Sequence, residues 1–211
     1  DTRMLEVVSR QLGLNKELWV DYARRDETRR EHLQVIMAVC GYHLFETPEY
    51  RAMMNWLLPL ALQSDQSMVL GHAVLKELRA RRIIIPPLAV IERLCAETAT
   101  RATRRIYAAL TEPLTLSQRR QLDALFLPYE NRSFSVLSWL RLPVVATGPR
   151  HINSLLARLH KIRALNFAPG IEHAIHRNRL LKLARIAEQT SGQHMKRFEA
   201  TQRYALTPII F

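Results

Sequence analysis

Apolar residues recur at helical spacing along almost the whole chain, and this pattern limits the fold more than any other feature. Leu, Ala and Arg, which all favour helices, dominate the sequence, whereas glycine occurs only 6 times in 211 residues. No stretch alternates apolar and polar residues between hairpin turns, and the dipeptides Asn-Gly and Asp-Gly are absent. The sequence therefore predicts an all-α fold, a multi-helix bundle array.

Prolines and capping residues divide this array into separate helices. Thr47-Pro48 is the clearest start, because a capping hydroxyl precedes a proline at the first helical position. From such signals we predict helices over Thr2–Leu12, from Asn15 through Tyr22, from Asp26 to Gly41, from Thr47, over Met68–Arg82, from Pro87 to Leu110, from Thr115 to Phe126, over Phe134–Leu142, from Gly148, over Ile171–Ala187 and over Gln193–Tyr204.

Three of these helices carry further predictions. The last one must end before Pro208, because proline cannot continue a helix. The helix after Gly148 is expected to bury Ile152, Leu155, Leu156 and Leu159. The long helix after Pro87 is expected to bury a stripe made of Ile91, Leu94, Cys95, Thr98, Ala102, Ile106 and Ala109.

The segment Ile83–Pro87 predicts a break between two parts of the chain. Two consecutive prolines after three isoleucines favour extended backbone. We expect a hinge there, joining a near-neutral helical subdomain, 1–85, to a basic one, 86–211.

Cysteine usage and hydropathy favour a cytoplasmic protein. Cys40 and Cys95 lie within apolar helical patterns, where buried thiols are expected rather than a disulfide. We find neither a signal peptide nor an apolar run long enough to span a membrane, so no membrane partner is expected.

The charge of the chain is concentrated in its second part. Residues 1–78 carry a net charge of −2 and residues 79–211 a net charge of +14, and 26 of the 31 basic residues are arginine. A basic region of this kind indicates a polyanionic partner, and the planar guanidinium suits phosphate and guanine edges. A coding bias towards arginine is the alternative, but it explains the uneven sign of the charge less well.

The candidate DNA contacts are the clusters of basic residues. Arg101, Arg104 and Arg105 share one side of the long helix, and Glu97 can neutralise only Arg101. Arg79, Arg81 and Arg82 end a helix, where the helix dipole accounts for them equally well. The full set is Arg79, Arg81, Arg82, Arg101, Arg104, Arg105, Arg119, Arg120, Arg158, Lys161, Arg177, Arg179, Lys182 and Arg185.

Catalytic and metal sites are not predicted in this chain. It has no His-Glu-x-x-His, no phosphate-binding glycine loop and no Gly-x-Ser-x-Gly. Glu172, His173 and His176 offer too few ligands for zinc. The acids around Asp21 and Asp26 alternate with arginines, which favours a salt-bridged helix junction.

Six segments taken together resemble the amino-terminal region of the Tn-three-type replicative transposases, in the order of that family. They are Tyr22–Leu33, Leu58–Gln66, Arg81–Glu97, Tyr107–Thr115, Asn178–Arg185 and Phe198–Ala205.

The resemblance implies a function that spacing alone does not. Such bacterial transposases recognise the terminal inverted repeats of their transposon through helical DNA-binding modules. Their separate RNase-H-like domain holds an acidic triad that binds magnesium. We expect this chain to be an internal piece of the amino-terminal half, with the catalytic domain after Phe211. No catalytic residue and no cofactor is therefore assigned here.

Two functions remain open at this stage. The first is recognition of double-stranded DNA at the transposon end, in the nucleoid of a bacterial cytoplasm. The second is a helical dimerisation or interaction module that touches DNA only weakly, with self-association of the full transposase. The two differ in whether the arginines of 79–211 form one face or are used in internal contacts.

Overall fold

Helices make up the regular structure of the chain. The structure, a computed structural model, describes residues 2–13, 15, 17, 26–130, 132–143, 148–165 and 174–211. These residues contain helices and no β-strand, apart from isolated bridges at His43–Ile83 and Pro128–Ser135. The predicted all-α fold is confirmed. The helix predicted from Asn15 through Tyr22 and the pair Glu172-His173 lie largely or wholly outside the described residues.

Most helices begin within about two residues of the predicted starts, but the helix predicted from Ile171 begins at Arg177. They are α1 (Thr2–Leu12), α2 (Asp26–Cys40), α3 (Thr47–Gln63), α4 (Ser67–Ala80), α5 (Leu88–Thr111), α6 (Leu116–Ala124), α7 (Val136–Leu140), α8 (Pro149–Ala164), α9 (Arg177–Gln189), α10 (Gly192–Lys196) and α11 (Ala200–Ile209).

The chain forms two compact units. The first contains Asp1–Glu46 and Lys76–Pro86, and the second contains Thr47–Leu75 and Pro87–Phe211. Residues 84–87 lie outside the helices, as expected of a double proline. These units do not have the boundary of the two predicted subdomains, because residues 47–75 belong to the second unit. The hinge near Ile83–Pro87, and a functional difference between 1–85 and 86–211, stay predictions.

In the first unit, a left-handed residue ends helix α4. Arg82 has a φ of +56°. The N–H of Ile83 donates to the carbonyl of Leu78 over 2.9 Å, and the N–H of Arg82 donates to that of Arg79 over 3.1 Å. This is the Schellman pattern, which usually places glycine at the left-handed position. The Arg82 carbonyl also accepts the N–H of His43, so backbone bonds on both sides hold this conformation.

Helix α5 is the centre of the second unit, where it packs against α3 and α11. Six positions of the predicted stripe, from Ile91 to Ile106, are buried. Leu110 is buried instead of Ala109, which is exposed. The buried Thr98 hydroxyl donates to the carbonyl of Leu94 over 2.7 Å, so it leaves no unpaired polar group in the core.

A second group of buried side chains continues the core beyond the carboxyl-terminal half of α5. It draws on α6, α7, α9, α10 and α11 and includes Leu122, Leu125, Leu137, Leu183, Met195 and Leu206. Helix α6 is fixed at its start by a capping box between Thr115 and Gln118.

The prediction that the tail helix ends before Pro208 is wrong. Two helices, α10 and α11, form the tail, and α11 runs through Pro208 to Ile209. Proline removes a donor and crowds the carbonyl four residues earlier, but here it lies in the last turn of α11 and is itself buried. The Thr207 hydroxyl donates to the carbonyl of Arg203 over 2.7 Å, so this buried hydroxyl has a partner within the helix.

The predicted burial of helix α8 is also wrong. Ile152, Leu156 and Leu159 are each about half exposed, and Leu155 is only partly buried. Leu165, directly after α8, is the residue that joins the core. Amphipathic spacing shows that a helix has an apolar face, but it does not show what covers that face.

We predict that Thr115→Ala lowers the free energy of unfolding by about 1 kcal/mol. The capping hydroxyl accepts the Gln118 N–H over 3.2 Å, and alanine leaves that donor without a partner. Urea denaturation followed by circular dichroism measures the loss. Ser117→Ala, an exposed position on the first turn of the same helix, is the control and should change stability much less.

The buried Leu137 and the half-exposed Leu156 give a second prediction. Leu137→Ala should cost about 3 kcal/mol, because it opens a cavity at a fully buried position. Leu156→Ala should cost less than about 1 kcal/mol, since the side chain is half exposed. Equal losses in the two variants, measured by the same denaturation, would show that α8 is packed more closely than the structure indicates.

Candidate nucleic-acid interface

The predicted DNA-contacting residues fall in both units. Arg79, Arg81 and Arg82 belong to the first unit, and Arg101, Arg104, Arg105, Arg119, Arg120, Arg158, Lys161, Arg177, Arg179, Lys182 and Arg185 belong to the second. The structure divides them into exposed residues and residues used in internal contacts.

Three exposed arginines, Arg101, Arg104 and Arg105, lie in the second half of α5. The Nη1 of Arg101 donates to the Oδ1 of Asn55 on α3 over 3.0 Å, which fixes its position without neutralising its charge. Among the described residues, neither Arg104 nor Arg105 takes part in an ion pair or a hydrogen bond through its side chain. The two guanidiniums therefore keep their full charge at the surface.

Glu97, the acid expected to balance Arg101, contacts another residue. Its Oε2 accepts the hydroxyl of Tyr50 over 2.8 Å. Burial, together with this hydrogen bond, raises the pKa of Tyr50. The guanidinium of Arg93 lies 5.5 Å from the centroid of the same ring. These contacts tie α3 to the first half of α5 and leave the arginines of the second half without an acid from their own helix.

Arg179, on α9, is the clearest correction to the predicted contact set. Its side chain is 4% exposed, and its Nη1 lies 2.8 Å from the Oδ2 of Asp65. Its Nη2 donates to the Oγ1 of Thr103 on α5 over 2.7 Å. A guanidinium held in this way joins α9 to α5 and cannot reach a phosphate, so we remove it from the contact set.

Lys182 lies one turn further along α9 and also reaches Asp65. Its ammonium donates to the same Oδ2 that faces Arg179. Burial raises the pKa of Asp65, but the hydrogen bond from Lys182 and the charges of Arg179 and Lys182 outweigh it, so the pKa lies below its ordinary value. One carboxylate thus faces two cations, and the surplus positive charge is at the half-exposed Lys182.

Two shallow cavities bring the arginines of α5 close to other charged or polar groups of the second unit. Arg104 and Asp65 line a cavity of about 370 Å³ with Thr103. Arg105 lines another, of about 420 Å³, with His176, which caps α9. Arg177 and Arg185 on α9 are exposed. Arg105 of α5 and the start of α9 therefore border the same cavity.

Arg119 and Arg120, near the start of α6, differ in their surroundings: one makes internal contacts and the other is exposed. Arg119 is half-buried, donates to the carbonyl of Thr111 over 3.1 Å and lies 6.0 Å from the ring centroid of Tyr204. Arg120 is exposed and has no ion pair within the described residues. Only Arg120 remains a free surface cation.

Arg158 on α8 is also used internally. Its Nη1 donates to the carbonyl of Leu142 over 2.6 Å, and its guanidinium lies 5.9 Å from the ring centroid of Trp139. Trp139 stacks on Tyr129 with centroids 4.4 Å apart and planes 9° apart. Arg158 therefore anchors α8 to an aromatic stack, whereas Lys161 is exposed.

The three predicted contact residues of the first unit, Arg79, Arg81 and Arg82, lie at the end of α4, where the helix dipole is the alternative explanation. Arg81 forms an ion pair with Glu77, one turn earlier, over 2.7 Å. Arg79 and Arg82 are exposed. Cations at the carboxyl end of a helix are favoured by the partial negative charge there. The helix dipole therefore accounts for this cluster without a contact to DNA.

Sequence reasoning missed the role of Asp65. Its carboxylate contacts two cations that lie more than a hundred residues later in the chain. A single acid before a helix gives no sequence signal of such a partner. Its isolation within residues 50–76, which contain no other Asp or Glu, is the only available hint.

Other chemistry finds little support in the described part of the chain. No group of three or more His, Cys, Asp or Glu side chains there is placed to hold a metal ion. Within the same residues no helix has the length and apolar character to cross a bilayer. Cys95 is buried, and burial raises the pKa of its thiol, but Cys40 is exposed, contrary to prediction.

We predict that Asp65→Asn lowers the free energy of unfolding by about 3 kcal/mol at neutral pH, because Arg179 is left buried without its charge partner. Since the pKa of Asp65 is lowered in the folded protein, the wild-type advantage is complete above the ordinary aspartate pKa. It is lost as the pH falls through the lower folded value. Denaturation at neutral and strongly acidic pH measures both effects.

Asp65→Asn with Arg179→Met is the matched control, because it removes both charges. This double variant should recover much of the stability that the single variant loses. A double variant as unstable as the sum of the single variants would contradict a direct Asp65–Arg179 contact.

Comparison with known proteins places this chain among transposases. Residues 2–98 match a family model described as "Domain of unknown function (DUF4158)". The chain is 40% identical, over 96% of its length, to the transposase for transposon Tn3926 and to that for Tn21, both from Escherichia coli. It is 37% identical over 94% of its length to the transposase for transposon Tn501 of Pseudomonas aeruginosa.

The chain spans about a fifth of the length of each of these relatives. The match extends over nearly all of its residues, so it does not depend on any single motif. The resemblance predicted from the six segments is confirmed, because transposases of Tn transposons match the chain over nearly all of its residues.

Proposed function

We propose that this chain is a DNA-binding region of a transposase, which contacts the terminal inverted repeats of the transposon during transposition. The relatives are transposases by name, and a protein that moves DNA must hold the ends of the element. The parent polypeptide would supply catalysis, with magnesium, from a separate RNase-H-like domain. Catalysis by this chain itself is not part of the proposal.

The observation that carries the proposal is the exposed arginine face of α5. Arg104 and Arg105 have no acidic partner among the described residues, and Arg101 is held by an amide. Residues 79–211 have 22 Lys and Arg against 8 Asp and Glu, so most of the excess charge cannot be neutralised internally. Phosphates of duplex DNA would neutralise it and release counterions.

The DNA-contacting residues that we propose are the exposed members of the predicted set. The exposed members are Arg101, Arg104, Arg105, Arg120, Lys161, Arg177, Lys182 and Arg185 in the second unit, with Arg79 and Arg82 in the first. Arg119, Arg158 and Arg179 are assigned to internal contacts instead, and Arg81 to its pair with Glu77.

The second candidate function is the interaction module. The half-exposed leucines of α8 favour it, because aliphatic side chains at helical spacing gain little from phosphates and gain more from another helix. The two functions are compatible in one chain, but they use different helices.

We predict that reversing two charges, Arg104→Glu with Arg105→Glu, weakens DNA binding by about tenfold or more and lowers the slope of log K against log salt by about 2. Fluorescence anisotropy with a labelled duplex at several salt concentrations measures both quantities. Arg29→Glu with Arg30→Glu on α2 makes the same change in charge at exposed positions of the first unit and should have a smaller effect. Circular dichroism confirms that each variant is folded.

Specificity is tested with two duplexes, one of a transposon-end sequence and one of the same bases scrambled. A preference for the end sequence supports recognition of the inverted repeat. Tight binding without preference would make the chain a general electrostatic clamp. Absence of binding at low salt would overturn the DNA-binding proposal and leave the interaction module.

A further inference from the structure

Lys182 is an exposed cation of the second unit whose position is fixed by an acid. Its ammonium is bonded to Asp65, yet about half of its side chain remains exposed. A free lysine side chain loses considerable rotational freedom when it grips a phosphate. A lysine that the fold already holds in place has lost part of that freedom before it binds.

Asp65 is itself rigidly held. The buried guanidinium of Arg179 lies 2.8 Å from its Oδ2 and is anchored by a hydrogen bond to Thr103 on α5. The chain of contacts therefore runs from α5 through Arg179 to Asp65 and on to Lys182. Arg179 balances the charge of Asp65, so Lys182 adds a net positive charge to the group.

The same carboxylate is close to the arginine face of α5. Asp65 and Arg104 line one cavity of about 370 Å³, and Thr103, the residue that Arg179 contacts, precedes Arg104 in the chain. The carboxylate that accepts the Lys182 ammonium therefore lines the same cavity as Arg104.

We infer that Asp65 is a positioning residue for DNA binding, because it holds the Lys182 ammonium beside Arg104 so that the two cations contact neighbouring phosphates. The inference rests on the proposed function. It adds Asp65, a residue whose negative charge would by itself oppose the binding of DNA. Asp65 does not itself contact DNA.

The direction in which Asp65→Asn changes the affinity for DNA distinguishes a positioning role from a purely electrostatic one. Asp65→Asn removes a negative charge near the binding surface, and electrostatics alone would then strengthen binding to a polyanion. Positioning has the opposite consequence, since Lys182 becomes mobile and Arg179 loses its anchor. Glu199→Gln is a matched control, because Glu199 lines the same cavity and makes the same change in charge without a contact to Lys182.

The experiment measures the affinity of the whole chain for a labelled DNA duplex of unselected sequence, by anisotropy at low salt. Asp65→Asn should weaken binding roughly fivefold, while Glu199→Gln should leave it unchanged or slightly tighter. Circular dichroism at the same temperature shows whether each variant is folded, because Asp65→Asn also removes the partner of Arg179.

Lys182→Gln provides a second variant that leaves the Asp65–Arg179 pair intact. It should weaken binding by a similar factor, and the double variant Asp65→Asn with Lys182→Gln should bind no more weakly than Lys182→Gln alone. This coupling is not expected if Asp65 only stabilises the fold.

Three results would contradict the inference, and they are distinguishable. Wild-type protein that does not bind the duplex would overturn the proposed function and this inference with it. Folded Asp65→Asn that binds as tightly as wild type, or more tightly, would overturn the inference alone. Additive losses in the double variant would show that Asp65 and Lys182 act independently, and would also overturn it.

Discussion

The buried face of α5 is the constraint on which the second unit depends. Its buried side chains extend from Ile91 to Leu110, and the helix packs against α3 and α11. Burial of one face fixes the rotation of the helix about its axis, and this rotation in turn fixes which residues face solvent. The packing of the buried face therefore sets the positions of Arg104 and Arg105, whereas Arg101 is also held by its hydrogen bond to Asn55.

Desolvation explains why the arginines divide into two groups. A guanidinium can be buried only where its charge or its donors find partners. Arg179 has both Asp65 and Thr103, whereas Arg119 and Arg158 donate to backbone carbonyls and lie against aromatic rings. Arg104 and Arg105 have no such partners within the described structure, and they remain in water.

The sequence predicted the helices well because their signals are local. Thr115 with Gln118 and Thr47 with Pro48 are complete within a few residues, and the spacing of Ile91, Leu94 and Thr98 already defines a face. It predicted less well what depends on distant parts of the chain. The exposure of α8, the helical Pro208 and the burial of Arg179 depend on neighbours elsewhere in the chain, and Asp65 contacts Lys182 across 117 positions.

The internal contacts of the arginines strengthen the argument for an external anion. A backbone carbonyl that accepts from Arg119 or Arg158 satisfies a donor, but it carries no net charge and leaves the cation uncompensated. In the described part of the second unit, Asp65 and Asp123 each pair with a cation, and Asp65 already faces two. The groups that accept hydrogen bonds from the arginines are thus not the groups that could neutralise their charge. The fold can order its arginines without reducing the positive field of residues 79–211, and that field remains available to attract a polyanion.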